Sequence, residues 1–104
     1  ERGELDGPAL HDYLSGVLGP YGQRKVEAVV LGCTHYVFLK KAIQRFFPGV
    51  PLIDGNEGTV RQLTRRLKET GRLAPQDAQG GVTLLSSGGE NAVAVMEKLL
   101  YRTE

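Results

Sequence analysis

The apolar residues of the chain fall into two patterns, one typical of helices and one typical of strands. Apolar positions three or four residues apart predict amphipathic helices, and this spacing occurs in residues 9–21, 36–47, 60–71 and 93–100. Short, nearly continuous apolar runs predict strands, and these runs are residues 26–31, 50–53 and 82–86. Helices and strands therefore alternate along the whole chain.

This alternation predicts the fold class. Strands that alternate with helices are joined by right-handed crossovers, which produce a parallel sheet. We therefore predict an α/β protein with a three-layer αβα arrangement, about three parallel strands and four helices. The run at residues 26–31 is almost wholly apolar, which predicts a strand buried on both faces. Gly16, Gly19 and Pro20 predict that the first helix ends near Leu18.

The length bounds the number of domains. A chain of 104 residues has room for one hydrophobic core, so residues 1–104 are predicted to form a single α/β unit. The sequence starts at Glu1 and its only methionine is Met96. A parallel sheet of three strands also leaves its edges uncovered. For both reasons we expect the chain to be part of a larger protein.

Composition excludes several classes of function. A formal net charge of +1 provides no electrostatic footprint for nucleic acid or an anionic membrane. The apolar runs, such as residues 28–31, are too short to cross a bilayer. A single cysteine can form neither an internal disulfide nor a cysteine-based zinc site, so no metal is predicted. A lone thiol is typical of a reducing compartment, which favours the cytoplasm.

Three loops follow the predicted strands, and the first carries the candidate chemistry. Ligands of open parallel sheets bind beyond the carboxyl ends of the strands. The first loop, residues 32–35, places Cys33, Thr34 and His35 between a strand and a helix. Backbone N–H groups at a helix start favour an anion, and the same field favours a reactive thiolate. The residues therefore fit a thiol base or nucleophile beside a carboxylate site.

Each of these residues also has a purely structural interpretation. Free cysteine is often a small buried apolar side chain, and Thr34 and His35 fit an ordinary helix start. Two alternatives therefore stay open: a non-catalytic anion-binding module with a structural Cys33, and a redox-sensing domain in which Cys33 is exposed. Residues 54–56 are compatible with a substrate loop, although Asp-Gly-Asn is also common turn chemistry, and the role of this loop stays open. Residues 86–89 are compatible with an anion-binding backbone nest, but a turn followed by an N-cap is favoured. The basic residues of 61–72 are interpreted as a solvated helix face.

Several segments resemble the glutamate racemase family of the aspartate/glutamate racemase superfamily. The central match is VVLGCTHY, followed by VFLKKAI and VPLIDGNEGTVRQL. The initial ERGELDG resembles the family's V-E-x-G segment, and LLSSGGENAVAVMEKLL resembles its closing strand and helix. The chain departs from the family pattern at Val37, where proline is usual, and at Gly55 and Asn56, where Ser-Gly is usual. The resemblance covers nearly the whole chain in the family's order.

The resemblance implies roles for four residues. Cys33 corresponds to the second of two catalytic cysteines, and Thr34 and His35 to the substrate-contacting pair after it. Glu1 corresponds to the carboxylate that works beside the histidine. The family interconverts L- and D-glutamate without a cofactor and supplies D-glutamate for peptidoglycan, on which cell shape depends. Aspartate and hydantoin racemases share the mechanism with two catalytic cysteines and stay open as alternatives.

Racemisation removes a proton from one face of Cα and returns one to the other face, so two opposed bases are required. Only Cys33 is present here, so the resemblance implies that the first cysteine lies in a missing N-terminal part. The chain then corresponds to the C-terminal portion of a two-lobed racemase. We predict that it is inactive alone, and that exposed strand edges allow pairing with a second copy.

Overall fold

The computed structural model describes residues 3–102, which form four α-helices, one 3₁₀ helix and two strands. The α-helices are α1 (Pro8–Gly22), α2 (Lys40–Gln44), α3 (Asn56–Glu69) and α4 (Glu90–Leu100). The strands are β1 (Val29–Val30) and β2 (Leu52–Ile53), and the 3₁₀ helix is Tyr36–Leu39. The predicted α/β class and the number of α-helices are confirmed.

The two strands form a parallel sheet in which Val29 is opposite Leu52 and Val30 is opposite Ile53. The ladder continues past β1, because the Leu31 N–H donates to the Ile53 carbonyl at 2.7 Å. The parallel pairing is confirmed, whereas the three-layer arrangement and a third strand are not. The last hydrogen bond fixes the backbone immediately before the loop that holds Cys33.

The third predicted strand is wrong. Residues 82–86 are irregular, and their side chains at Val82 and Leu85 are 62% and 82% exposed. A strand exists only where its backbone groups pair with a neighbour, and within residues 3–102 this segment has no such neighbour. The apolar run alone did not specify a partner.

Several boundaries also differ from prediction, among them those of β1, of the helix after it and of α1. β1 is shorter than the predicted run 26–31, and Val30 is 71% exposed, so the strand is not buried on both faces. The helix predicted over residues 36–47 is a 3₁₀ turn followed by the short α2. α1 continues through Pro20 to Gly22; Leu18 packs against the core and holds the last turn in place.

The core lies where α1, α2 and the sheet meet. Its buried side chains are Leu14, Leu31, Ala42, Ile43 and Phe47. The Gln44 amide donates to the carbonyls of Phe47 and Val50, which ties the end of α2 to the segment that enters β2. The core therefore supports both strands from one side.

The other half of the structure is more open. Neither α3 nor α4 contributes a buried residue. The accessible surface is 8656 Å², whereas a folded monomer of 11.3 kDa exposes about 5,700 Å². The radius of gyration is 17.5 Å, against about 13 Å for a compact domain of this length. The chain therefore leaves about 3,000 Å² of surface that a compact fold would bury.

Among residues 3–102, no helix has both the length and the apolar character needed to cross a membrane.

Candidate functional site

The loop that carries Cys33 begins at the end of β1. Leu31 is buried at 8% exposure, so the backbone enters residues 32–35 from a fixed point. The chain then turns tightly, because the Tyr36 N–H donates to the Cys33 carbonyl at 3.2 Å. The Phe38 N–H donates to the His35 carbonyl, also at 3.2 Å. These two amides are therefore already bonded, unlike the free amides we predicted at a regular helix start.

The structure brings Cys33, Thr34 and His35 together around one ring nitrogen. His35 Nδ1 lies 3.9 Å from Cys33 Sγ and 3.3 Å from Thr34 Oγ1. Which atom donates depends on the tautomer of the ring. Cys33 is partly buried, whereas Thr34 and His35 are exposed. The arrangement can pass a proton between the thiol and the imidazole, or hold the thiolate beside a ring N–H.

Cys33 and His35 line a cavity of about 390 Å³, whereas Thr34 is not among its lining residues; this size is within the range of small-molecule sites. Its walls come from the N-terminal segment, α1, the 3₁₀ helix and α4. The lining residues are Glu4, Leu5, Leu10, Tyr13, Cys33, His35, Tyr36, Phe38, Leu39 and Leu99. Half of these lining residues are apolar, and a combination of apolar walls and polar groups is typical of a ligand site.

Glu4, which was not among the predicted site residues, shares this cavity with Cys33 and His35. The predicted carboxylate, Glu1, lies outside the described residues. The available signal was the resemblance of ERGELDG to a family segment that carries a carboxylate beside the histidine. The resemblance indicated that this segment lies near His35, but it did not indicate that Glu4, the second acidic residue of the segment, lines the cavity.

The second loop does not join the Cys33 site. Asp54 is only 11% exposed and pairs with Lys40 Nζ at 2.5 Å, and it accepts the Asn56 N–H at 2.8 Å. The Lys40 hydrogen bond and then the Asn56 amide hold the pKa of Asp54 below its ordinary value. Asp54 lines a separate cavity of about 540 Å³. Phe38 and Leu99 line both cavities.

The third loop is a turn. The Gly88 N–H donates to Ser86 Oγ at 3.1 Å, and Gly89, with φ of +78°, is the N-cap of α4. The Ser86 hydroxyl is therefore engaged within the turn, as the turn interpretation predicts. In the same described range, no cluster of three His, Cys, Asp or Glu side chains is placed to hold a metal ion.

Three of the four basic side chains of α3 pair with carboxylates of the same helix. Arg61 pairs with Glu57, and Arg65 and Arg66 both approach Glu69. All five side chains are half exposed or more. The helix presents a solvated charged face, which agrees with the prediction.

Comparison with known proteins confirms the resemblance to glutamate racemases. The chain is 37% identical over 104 residues to the glutamate racemase of Clostridium botulinum, a match that covers 99% of this chain and 40% of the relative. It is 41% identical over 109 residues to that of Bifidobacterium animalis subsp. lactis, covering 98% of this chain and 41% of the relative. The glutamate racemase of Clostridium perfringens is 37% identical over 101 residues, with 96% and 39% covered.

The chain thus spans about two fifths of the length of these curated relatives. No protein-family model matches it, and no solved structure matches it.

Proposed function

We propose that this chain is the C-terminal portion of a cofactor-independent amino acid racemase that acts on glutamate. The observation that carries the proposal is the similarity to glutamate racemases over 99% of the chain, combined with the placement of Cys33 and His35 on one cavity. In this proposal the upstream part supplies the second base, and the product D-glutamate serves peptidoglycan synthesis.

Cys33 acts as one of two proton-transfer groups. From one enantiomer, the Cys33 thiolate takes the Cα proton, and the electron pair of the broken C–H bond stays on the substrate as a carbanion. The protonated base on the opposite side then gives its proton to the other face of Cα. From the other enantiomer the two groups exchange roles, so no net proton is gained or lost. Neighbouring hydrogen-bond donors stabilise the carbanion and the substrate carboxylate.

His35 and Thr34 support this chemistry from the same loop. The His35 ring, 3.9 Å from the sulfur, orients the thiol and exchanges a proton with it. Thr34 Oγ1, 3.3 Å from the ring, orients the imidazole and contacts the substrate. Glu1 is the proposed carboxylate beside His35.

A structural Cys33 in a non-catalytic module is less well supported. A structural cysteine is expected to be buried and inert. Here Cys33 is a partly exposed residue, its sulfur lies 3.9 Å from the His35 ring, and it lines a cavity. No observation on the described residues favours aspartate or a hydantoin over glutamate.

The test is to complete the enzyme. The chain is fused to the upstream three fifths of the Bifidobacterium animalis racemase, and inversion of L-glutamate is followed by circular dichroism. The fusion is expected to racemise glutamate, and the 104-residue chain alone is expected not to. Cys33→Ala in the fusion should abolish inversion, whereas His35→Asn should lower kcat by about 10²-fold or more, as expected for loss of a proton-transfer partner.

The control is a substitution at an exposed residue outside the Cys33 loop: Thr83 is exposed, and Thr83→Ala is expected to leave the fusion's activity unchanged. Full activity in Cys33→Ala, or robust inversion by the isolated chain, would contradict the proposal.

A further inference from the structure

The segment formed by residues 3–7, which we call the N-terminal strap, is fastened at both ends. Lys98 Nζ donates to the Gly3 carbonyl at 3.0 Å, and Gly3 is buried against α4. At the other end, Arg45 donates twice to the Asp6 carboxylate, at 2.9 and 3.1 Å. Glu4 and Leu5 lie between these two anchors. The strap therefore has a defined position relative to both α2 and α4.

The strap places Glu4 among the residues that line the Cys33 cavity. Among the described lining residues, Glu4 is the only carboxylate and His35 the only basic side chain. Half of the lining residues are apolar: Leu5, Leu10, Phe38, Leu39 and Leu99. Low-dielectric walls focus the field of a charge within a cleft. Glu4 is exposed and Cys33 is partly buried, so the negative charge of Glu4 acts on a charged reagent that approaches the sulfur through this cavity.

We propose that Glu4 is a specificity-determining residue that selects a positively charged group for the cavity holding Cys33. An amino acid carries an α-ammonium beside the Cα whose proton is moved, and Glu4 is the group in this cavity able to pair with it. The identity of the cation as an α-ammonium rests on the proposed function. The charge selection itself does not, because it follows from the residues that share the cavity.

Cys33 is the only cysteine, so thiol-directed reagents report on this cavity alone. The probes are two methanethiosulfonates of similar size, one carrying a trimethylammonium group and the other a sulfonate. Each forms a mixed disulfide with the Cys33 sulfur and releases methanesulfinate. The rate of each reaction is followed by intact mass on the 104-residue chain, and the ratio of cationic to anionic rates measures the charge selection.

Glu4→Gln is expected to lower this ratio roughly tenfold at low ionic strength, the Coulomb effect on a +1 and a −1 reagent about 6 Å from the carboxylate in water. The matched control is Glu90→Gln, at the exposed start of α4 and outside this cavity, which should change the ratio by at most about twofold given screening over distance. Circular dichroism confirms that each variant is folded.

Two further measurements keep the proposal falsifiable if Glu4→Gln does not fold. In the wild-type chain, adding 1 M KCl should compress the ratio toward that of a small free thiol, since the Debye length falls to about 3 Å. Arg45→Met removes one anchor of the strap but keeps the Glu4 side chain. It should lower the ratio of cationic to anionic rates by less than Glu4→Gln does, because the strap then holds Glu4 less firmly beside the cavity.

An unchanged ratio in folded Glu4→Gln, or a wild-type ratio insensitive to salt, would overturn the proposal. An unchanged ratio in Arg45→Met would overturn the role of the strap. Neither result bears on racemisation by the completed enzyme, so failure of this inference is distinguishable from failure of the proposed function.

Discussion

Leu31 connects the core to the candidate site, so its truncation is the most informative test of the fold. Its side chain is 8% exposed and it lies two residues before Cys33. Leu31→Ala removes three carbon groups worth about 0.8 kcal/mol each. The cavity left behind adds to this cost, and buried Leu→Ala changes span about 2–5 kcal/mol. We expect the free energy of unfolding to fall by about 3 kcal/mol.

That loss is large for this chain. At about 0.05 kcal/mol per residue, the low end for folded domains, 104 residues provide about 5 kcal/mol. The low end applies because so much surface stays exposed. With an m-value of about 1.5 kcal/mol/M, the urea midpoint should fall by about 2 M.

The assay is urea unfolding followed by circular dichroism, and the matched control is Leu85→Ala. Leu85 is 82% exposed, so the same chemical change there should alter stability by less than about 0.5 kcal/mol. Equal effects at the two positions, or a loss below about 0.5 kcal/mol at Leu31, would refute the assignment of the core.

Two further predictions concern pH and the backbone. Since the pKa of Asp54 is lowered on folding, the stabilising contribution of Asp54 is present above its unfolded pKa and is lost as pH falls through its folded pKa. Lys40→Met should therefore reduce the stability that is lost on acidification below about pH 4. Urea midpoints of Lys40→Met between pH 2.5 and 7 that match those of the control Lys41→Met would contradict this. Gly49 has a φ of +76° and open space where a Cβ would lie, so Gly49→Ala should lower the free energy of unfolding by about 1 kcal/mol through backbone strain alone. Gly16→Ala in the interior of α1 should instead gain about 0.5–1 kcal/mol, and thermal melts in which both substitutions shift the midpoint in the same direction would argue against the strained turn.

The sequence predicted the helices and the parallel pair, but it could not predict which apolar runs find partners. Helical spacing at residues such as Leu10 and Leu14 specifies a buried face locally. A strand such as residues 82–86 depends on another strand to complete its hydrogen bonds. The exposed positions at Val30 and Leu85 show the same dependence, because nothing in the described chain covers them.

The candidate site likewise contains residues that local sequence predicts and one residue that only long-range contacts bring there. Cys33, Thr34 and His35 were predictable because they are consecutive and follow a recognisable strand. Glu4 joins them only through the strap, whose position depends on contacts from Lys98 and Arg45, respectively 95 and 39 residues from their partners. Contacts at such separations leave no local pattern for periodicity or motif spacing to detect.

Isotope exchange in the completed enzyme carrying Cys33→Ala tests most directly whether Cys33 is one of two opposed bases. Each enantiomer of glutamate is incubated with the fusion in D₂O, and deuterium at Cα is followed by NMR. With one base removed and the other intact, deuterium should enter only one enantiomer, with no inversion of either. Exchange into both enantiomers at similar rates, or any inversion comparable to that of the unsubstituted fusion, would contradict the two-base assignment.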